Sequence, residues 1–160
     1  MKDWRRGLVR VVAAGLLCVL AWWVSRPASD GSGYFTGEAF TTPYHITYAD
    51  GPDVGTMKRA VDAELDRIDA MASTWRDDSE LMRYNHAPNP EAFELSPQLE
   101  WLFEQAKEIQ TQTNGAFSLR PDGSAIDLSG IAKGYAVDRV VALLQRDFGI
   151  TDCLVDIGGE

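Results

Sequence analysis

The sequence predicts an α+β fold. A mixed sheet carries packed helices, a β-α-β unit lies near the C-terminus, and an N-terminal membrane or signal segment precedes the body. Three observations carry this expectation. Tyr44, Ile46 and Tyr48 alternate as they do on a half-buried strand. Two stretches, one from Val54 and one from Ser96, repeat apolar residues at helical spacing. Residues 125–128, the helical pattern from Ile131 and the run Cys153–Ile157 then follow as strand, helix and strand. Parallel strands and a right-handed crossover are the rule for such a trio.

The N-terminus has a composition of its own. Lys2, Arg5, Arg6 and Arg10 precede an unbroken apolar run from Val11 to Val24, the layout of a secretory signal. The run fits a signal core better than a full membrane span, although Arg10 can snorkel and add Leu8 and Val9 to it. Trp22 and Trp23 suit the outer interface. No A-x-A-like cleavage site follows, and Arg26 and Pro27 occupy that region. An uncleaved signal anchor over residues 1–26 is the favoured reading, ahead of a cleaved signal peptide. Lipidation of Cys18 comes last, because Leu17 stands where processing prefers a small side chain. The basic flank places the N-terminus in the cytoplasm and the body on the periplasmic side of a bacterial inner membrane. Residues 27–33 read as a linker, and 34–160 as the folded part.

Within that part, Phe35 to Tyr48 reads as a strand and Asp50-Gly51-Pro52 as a turn. Met57, Val61, Leu65, Ile68 and Ala72 mark the buried stripe of the first helix. Ser96 caps a second helix with Pro97 at its first position. Leu99, Leu102, Phe103, Ala106 and Ile109 form its stripe, and Asn114-Gly115 ends it. Ser129 or Gly130 caps the next helix, Ile131, Tyr135, Val140, Val141 and Leu144 form its stripe, and Gly149 stops it. Cys18 and Cys153 are not expected to meet in a disulfide. His45 and His86 are isolated and read as surface or strand residues. The formal charge of −9 argues against nucleic acid as a partner, because phosphate backbones call for Lys and Arg.

Residues 127–138, D-L-S-G-I-A-K-G-Y-A-V-D, are the most informative stretch. A carboxylate, an ammonium and a glycine meet where a helix begins, and the N–H groups and dipole there favour an anion. Lys133 sits in the first turn, where a positive charge is mildly unfavourable unless an anion accompanies it. A plain turn with a solvated lysine explains the local pattern equally well. The run is neither a G-x-x-x-x-G-K-[ST] loop nor a G-x-G-x-x-G fingerprint.

The same words resemble the signature of the ApbE-type flavin transferases, the FAD:protein FMN transferases. Four further segments fall in that family's order. Residues 37–44 resemble its G-x-A-M-G-T-x-Y strand, and 73–85 its S-T-Y-x-x-x-S-E-L-x-R-x-N segment. Residues 113–117 resemble T-x-G-A-F, and 154–159 resemble a strand ending in a double glycine. The resemblance runs from Gly37 to Glu160 and implies an ApbE-like domain, partial here because family members are about twice this length. It implies Mg²⁺-dependent transfer of FMN from FAD to a Thr or Ser hydroxyl of an acceptor protein, with release of AMP. Two alternatives share the site: a flavin- or nucleotide-binding protein without transfer activity, and a pyrophosphatase that splits FAD.

Carried over residue by residue, the resemblance implies that Asp127 and Lys133 contact FAD, with Lys133 on phosphate. Trp75 takes the family's aromatic position, suited to stacking. Phe40 takes the Met position of the opening motif, and Ala116, Phe117 and Ser118 match a loop along the cofactor. The main-chain carbonyl of Gly130 is the implied metal ligand. The other implied ligands, an Asp and a Thr, belong to a C-terminal motif absent from these residues. Blander readings stand beside these. Trp75 and Phe117 suit a core, and Ser79-Glu80 suits a helix start. Asp127 is the hardest to explain without a ligand, because an unpaired buried carboxylate is costly. The chain departs from the family at Phe40-Thr41, which replace Met-Gly. It departs again at Ser118, which replaces Asp, and in the short segment between Phe117 and Asp127.

Overall fold

The computed structural model describes residues 32–121, 123 and 125–159. The signal segment 1–26, with Cys18, and nearly all of the linker 27–33 lie outside the described residues. No helix among those described is long and apolar enough to cross a membrane.

The described residues form a hairpin, four helices and a returning strand. Strands β1 (Gly33–Ala39) and β2 (Thr42–Tyr48) pair antiparallel, and β3 (Cys153–Ile157) pairs antiparallel with β2 on its other side. The sheet order is β1-β2-β3. Helices α1 (Val54–Ala72), α2 (Glu80–Asn85), α3 (Pro97–Gln112) and α4 (Ser129–Phe148) lie between β2 and β3 in sequence. A single 3-10 turn, Pro90–Ala92, precedes α3.

The expected strand from Phe35 to Tyr48 is therefore two strands. They are joined by a two-residue turn at Phe40 and Thr41, both left-handed at φ 52° and 62°, as a type I′ hairpin requires. The break went unread because neither residue is a usual turn former. Across the hairpin, Gly33 faces Tyr48 and Gly37 faces Tyr44. A Cβ at either glycine would collide with the tyrosine ring, so the absent side chains let the rings lie across β1.

The alternation on β2 is as read, with Tyr44, Ile46 and Tyr48 buried. The helices from Val54 and Ser96-Pro97 begin where expected. Ser96 Oγ accepts from the Leu99 N–H with Pro97 at the first position, and Gly149 ends α4 at φ 69°. The α4 stripe is rotated from the expected one. Ala132, Ala136, Val140, Leu143 and Leu144 are buried, while Ile131, Tyr135 and Val141 pack at the margin. Small residues face inward because α4 runs directly against α1, where Arg139 Nε donates to Glu64 Oε1 at 2.9 Å.

The β-α-β expectation is corrected. Residues 125–128 are not a strand, and both strand pairs in the sheet are antiparallel. The backbone groups a neighbouring strand would have satisfied are taken elsewhere. The Ile126 N–H donates to Asn85 Oδ1 at 2.9 Å and Asn85 Nδ2 donates to the Ile126 carbonyl at 2.8 Å. The Asp127 N–H donates to the Leu119 carbonyl at 2.9 Å. One side-chain amide thus stands in for a ladder.

Candidate functional site

Three sequence motifs converge on one open cleft of about 390 Å³, within the range of small-ligand sites. The hairpin tip supplies Phe40, Thr41 and Thr42. The end of α1 supplies Asp69 and Ala72, the following loop Ser73 to Arg76, and the first turn of α4 Ser129, Ala132 and Lys133. The double glycine after β3 closes on the hairpin tip. Gly158, at φ 64°, lies where a Cβ would come 2.8 Å from Thr42 Oγ1, and its N–H donates to the Pro43 carbonyl.

Trp75 is 85 % exposed, which rules out the core reading and leaves an aromatic face available to a ligand. The loop carrying it is fixed at both ends. Ser79 is fully buried, donates to the Ser73 carbonyl at 2.7 Å and caps α2 by accepting from the Met82 N–H at 3.0 Å. Glu80 accepts from the Ser96 N–H. The Ser-Glu pair is thus a helix start that also ties down the loop. Arg76 Nη1 lies 2.9 Å from Asp66 and 3.8 Å from Asp69, and its Nε lies 2.9 Å from Asp78. Hydrogen bonds to Asp78 and then Asp66 push its pKa further up, so it stays a cation already engaged by carboxylates.

Between the two walls, Thr74 Oγ1 and Ser129 Oγ approach to 3.4 Å. Neither Ser129 nor Gly130 is the cap of α4. Leu128 occupies that position without a side-chain bond, and Asp127 Oδ1 accepts from the Ser129 N–H at 2.8 Å. Asp127 is half-buried and partnered, so its carboxylate has a local explanation. It also places a negative charge at the helix start, where the dipole favours one.

Of the residues singled out in the sequence, Phe40, Trp75 and Lys133 line the cleft. Asp127 and Gly130 lie at the same helix start but do not line it. Phe117 packs at the margin of the core with its ring beside Gly130, 3.0 Å from where a Cβ there would stand. Ala116 is exposed, and Ser118 Oγ accepts from the Arg120 N–H. Sequence reasoning missed Thr41, Thr42, Asp69, Ser73, Thr74, Arg76 and Ser129. Most of these lay inside the quoted motifs; Asp69 carried no signal, because only the position of the α1 terminus brings it there. Among the described residues, no three His, Cys, Asp or Glu side chains converge as a metal site. These residues do not by themselves fit a Mg²⁺ ion.

The ApbE family profile matches residues 40–121 and 118–160. The chain belongs to the ApbE family. The two ApbE matches overlap at residues 118–121, in the short segment after Phe117. The FAD:protein FMN transferase of Vibrio cholerae is 28 % identical over all of this chain and 60 % of its own length. That of Klebsiella pneumoniae is 24 % identical over 89 % of this chain and 55 % of its own length. The chain thus spans between 53 % and 60 % of the length of the curated ApbE relatives it matches. The solved flavin transferase ApbE of Vibrio cholerae superposes on 81 % of this chain and 58 % of its own with a TM-score of 0.74 at 26 % identity. The apo flavinyl transferase ApbE of Pseudomonas stutzeri shares the fold, with a TM-score of 0.73 at 24 % identity over 81 % of this chain and 60 % of its own.

Proposed function

We propose that this chain carries the FAD-binding part of an FAD:protein FMN transferase. The observation that carries this is the convergence of exposed Trp75, Lys133 and the Ser129 turn on one cleft, in a member of a family whose matched relatives bear that name. The cleft suits an elongated anion with a flat ring. Trp75 offers a stacking face, a contact worth roughly 1–3 kcal/mol per ring. Lys133 offers a charge-assisted bond to phosphate. In the transfer, the hydroxyl oxygen of an acceptor Thr or Ser forms a bond to the FMN phosphorus of FAD. The pyrophosphate P–O bond to AMP breaks, and the hydroxyl proton leaves to solvent or base. The family resemblance adds Mg²⁺ bound to the Gly130 carbonyl. The described residues bring no carboxylate set to Gly130. A second reading shares the same cleft: flavin or nucleotide binding without transfer.

Titration of FAD into the whole chain, followed by calorimetry, tests the binding reading. Lys133→Ala should weaken binding by roughly 1.5–3 kcal/mol, and unchanged affinity would remove Lys133 from the site. Incubation with FAD, Mg²⁺ and an acceptor separates the functions. A fluorescent acceptor band that survives denaturation marks transfer, free FMN and AMP mark pyrophosphatase activity, and binding alone marks the second reading. We further propose, from the basic flank and apolar run of residues 1–26, that the domain sits on the periplasmic side of the inner membrane. A reporter fused after Gly33 and active in the cytoplasm would sink that localisation.

A further inference from the structure

The two walls of the cleft come from segments far apart in sequence, Ser73 to Arg76 and Ser129 to Lys133. Direct contact between them is slight, namely the 3.4 Å approach of the Thr74 and Ser129 hydroxyls. The firm connection lies behind them. Asn85 ends α2, the helix that starts from the Trp75 loop, and its amide makes both hydrogen bonds to the Ile126 backbone, at 2.8 and 2.9 Å. Three residues later α4 begins. We propose that Asn85 is a positioning residue: it latches residues 125–128 to the first wall and thereby sets where Ser129 and Lys133 stand in the cleft. Among the described residues, 125–128 have no strand partner, and the main-chain bond from Asp127 to Leu119 ties them to the loop before them. An amide suits the position because it offers one donor and one acceptor side by side, matching the N–H and C=O of one residue. Truncation would leave the N–H and C=O of buried Ile126 without partners, a costly outcome.

The ligand half of this inference rests on the FAD reading above; the latch does not. Hydrogen exchange on the whole chain, without ligand, compares wild type with Asn85→Ala and with the milder Asn85→Asp, which keeps the acceptor and loses the donor. Peptides spanning 125–134 should exchange about tenfold faster in Asn85→Ala, as loss of about 1.4 kcal/mol of local protection gives, and by less in Asn85→Asp. The β1–β2 hairpin should keep its wild-type rates. Equal acceleration everywhere, or none at 125–134, would overturn the latch. In FAD titrations, Asn85→Ala should weaken binding about tenfold in the wild-type background and by much less in a Lys133→Ala background, because the residue acts through that turn. An equal loss in both backgrounds would overturn the positioning role. A wild-type chain that does not bind FAD would sink the functional reading, and the exchange result would then decide the latch by itself.

Discussion

Thr41 occupies a conformation that its chemistry resists. It is β-branched, it stands at φ 62°, and its neighbour Phe40 is also left-handed at φ 52°. A residue held there costs on the order of 1–3 kcal/mol. The strain persists because the paired strands on both sides fix the turn and because both residues face the cleft. The family pattern has glycine at this position, the residue for which left-handed backbone is free. Glycine would give back roughly 0.5–1 kcal/mol through the looser unfolded chain. Thr41→Gly should therefore stabilise the domain by about 1 kcal/mol, read as a higher urea midpoint at unchanged slope. A midpoint that stays or falls would show that Thr41 is not strained, or that its side chain makes a contact worth the strain.

Between elements, β2 is pinned to α1 through Tyr44. Its ring is buried, its hydroxyl donates to Asp62, and Lys58 reaches both, at 3.2 Å from the hydroxyl and 2.8 Å from the carboxylate. Burial first, and then the bond to Asp62, push the Tyr44 phenol up to about 12, against the opposing pull of Lys58. The folded chain thus favours the protonated phenol. That stabilisation is complete below the ordinary phenol value near 10 and is lost as pH rises through about 12. Tyr44→Phe should cost about 1 kcal/mol at neutral pH, and the gap between variant and wild type should close between those two values. Urea unfolding at several alkaline pH values reads this, and curves that stay parallel would refute it. At this scale the helices were legible in the sequence and the sheet was only partly so. Helix signals are local: the stripe of Met57, Val61 and Leu65 and the Ser96-Pro97 start need no distant partner. Residues 125–128 carry the apolar look of a strand, yet their fate is decided by Asn85, 41 residues away. The site followed the same division. Trp75 and Lys133 were legible through motifs, whereas Asp69 and the ion pairs of Arg76 depend on where α1 ends in space.

Across the whole molecule, the antiparallel sheet and the packing of α1 on α4 bring motifs from residues 37–44, 73–85, 127–138 and 154–159 to one end of the domain. Beside the cleft, behind Phe40 and Thr41, a second hollow is lined by Glu38, Asp62, Asp66 and Asp69, whose charge Lys58 and Arg76 offset only in part. Those carboxylates bear on how fast a doubly charged dinucleotide arrives, separately from how tightly it stays. An anion diffusing toward an acidic rim is slowed by repulsion that reaches about one Debye length, roughly 10 Å at 0.1 M salt and 30 Å at 0.01 M. Added NaCl should therefore quicken FAD encounter even as it weakens the final Lys133 contact, so rate and affinity should move in opposite directions. Stopped-flow mixing at several salt concentrations would show it. An encounter rate that falls with salt would mean that the ammonium, and not the rim, governs the approach.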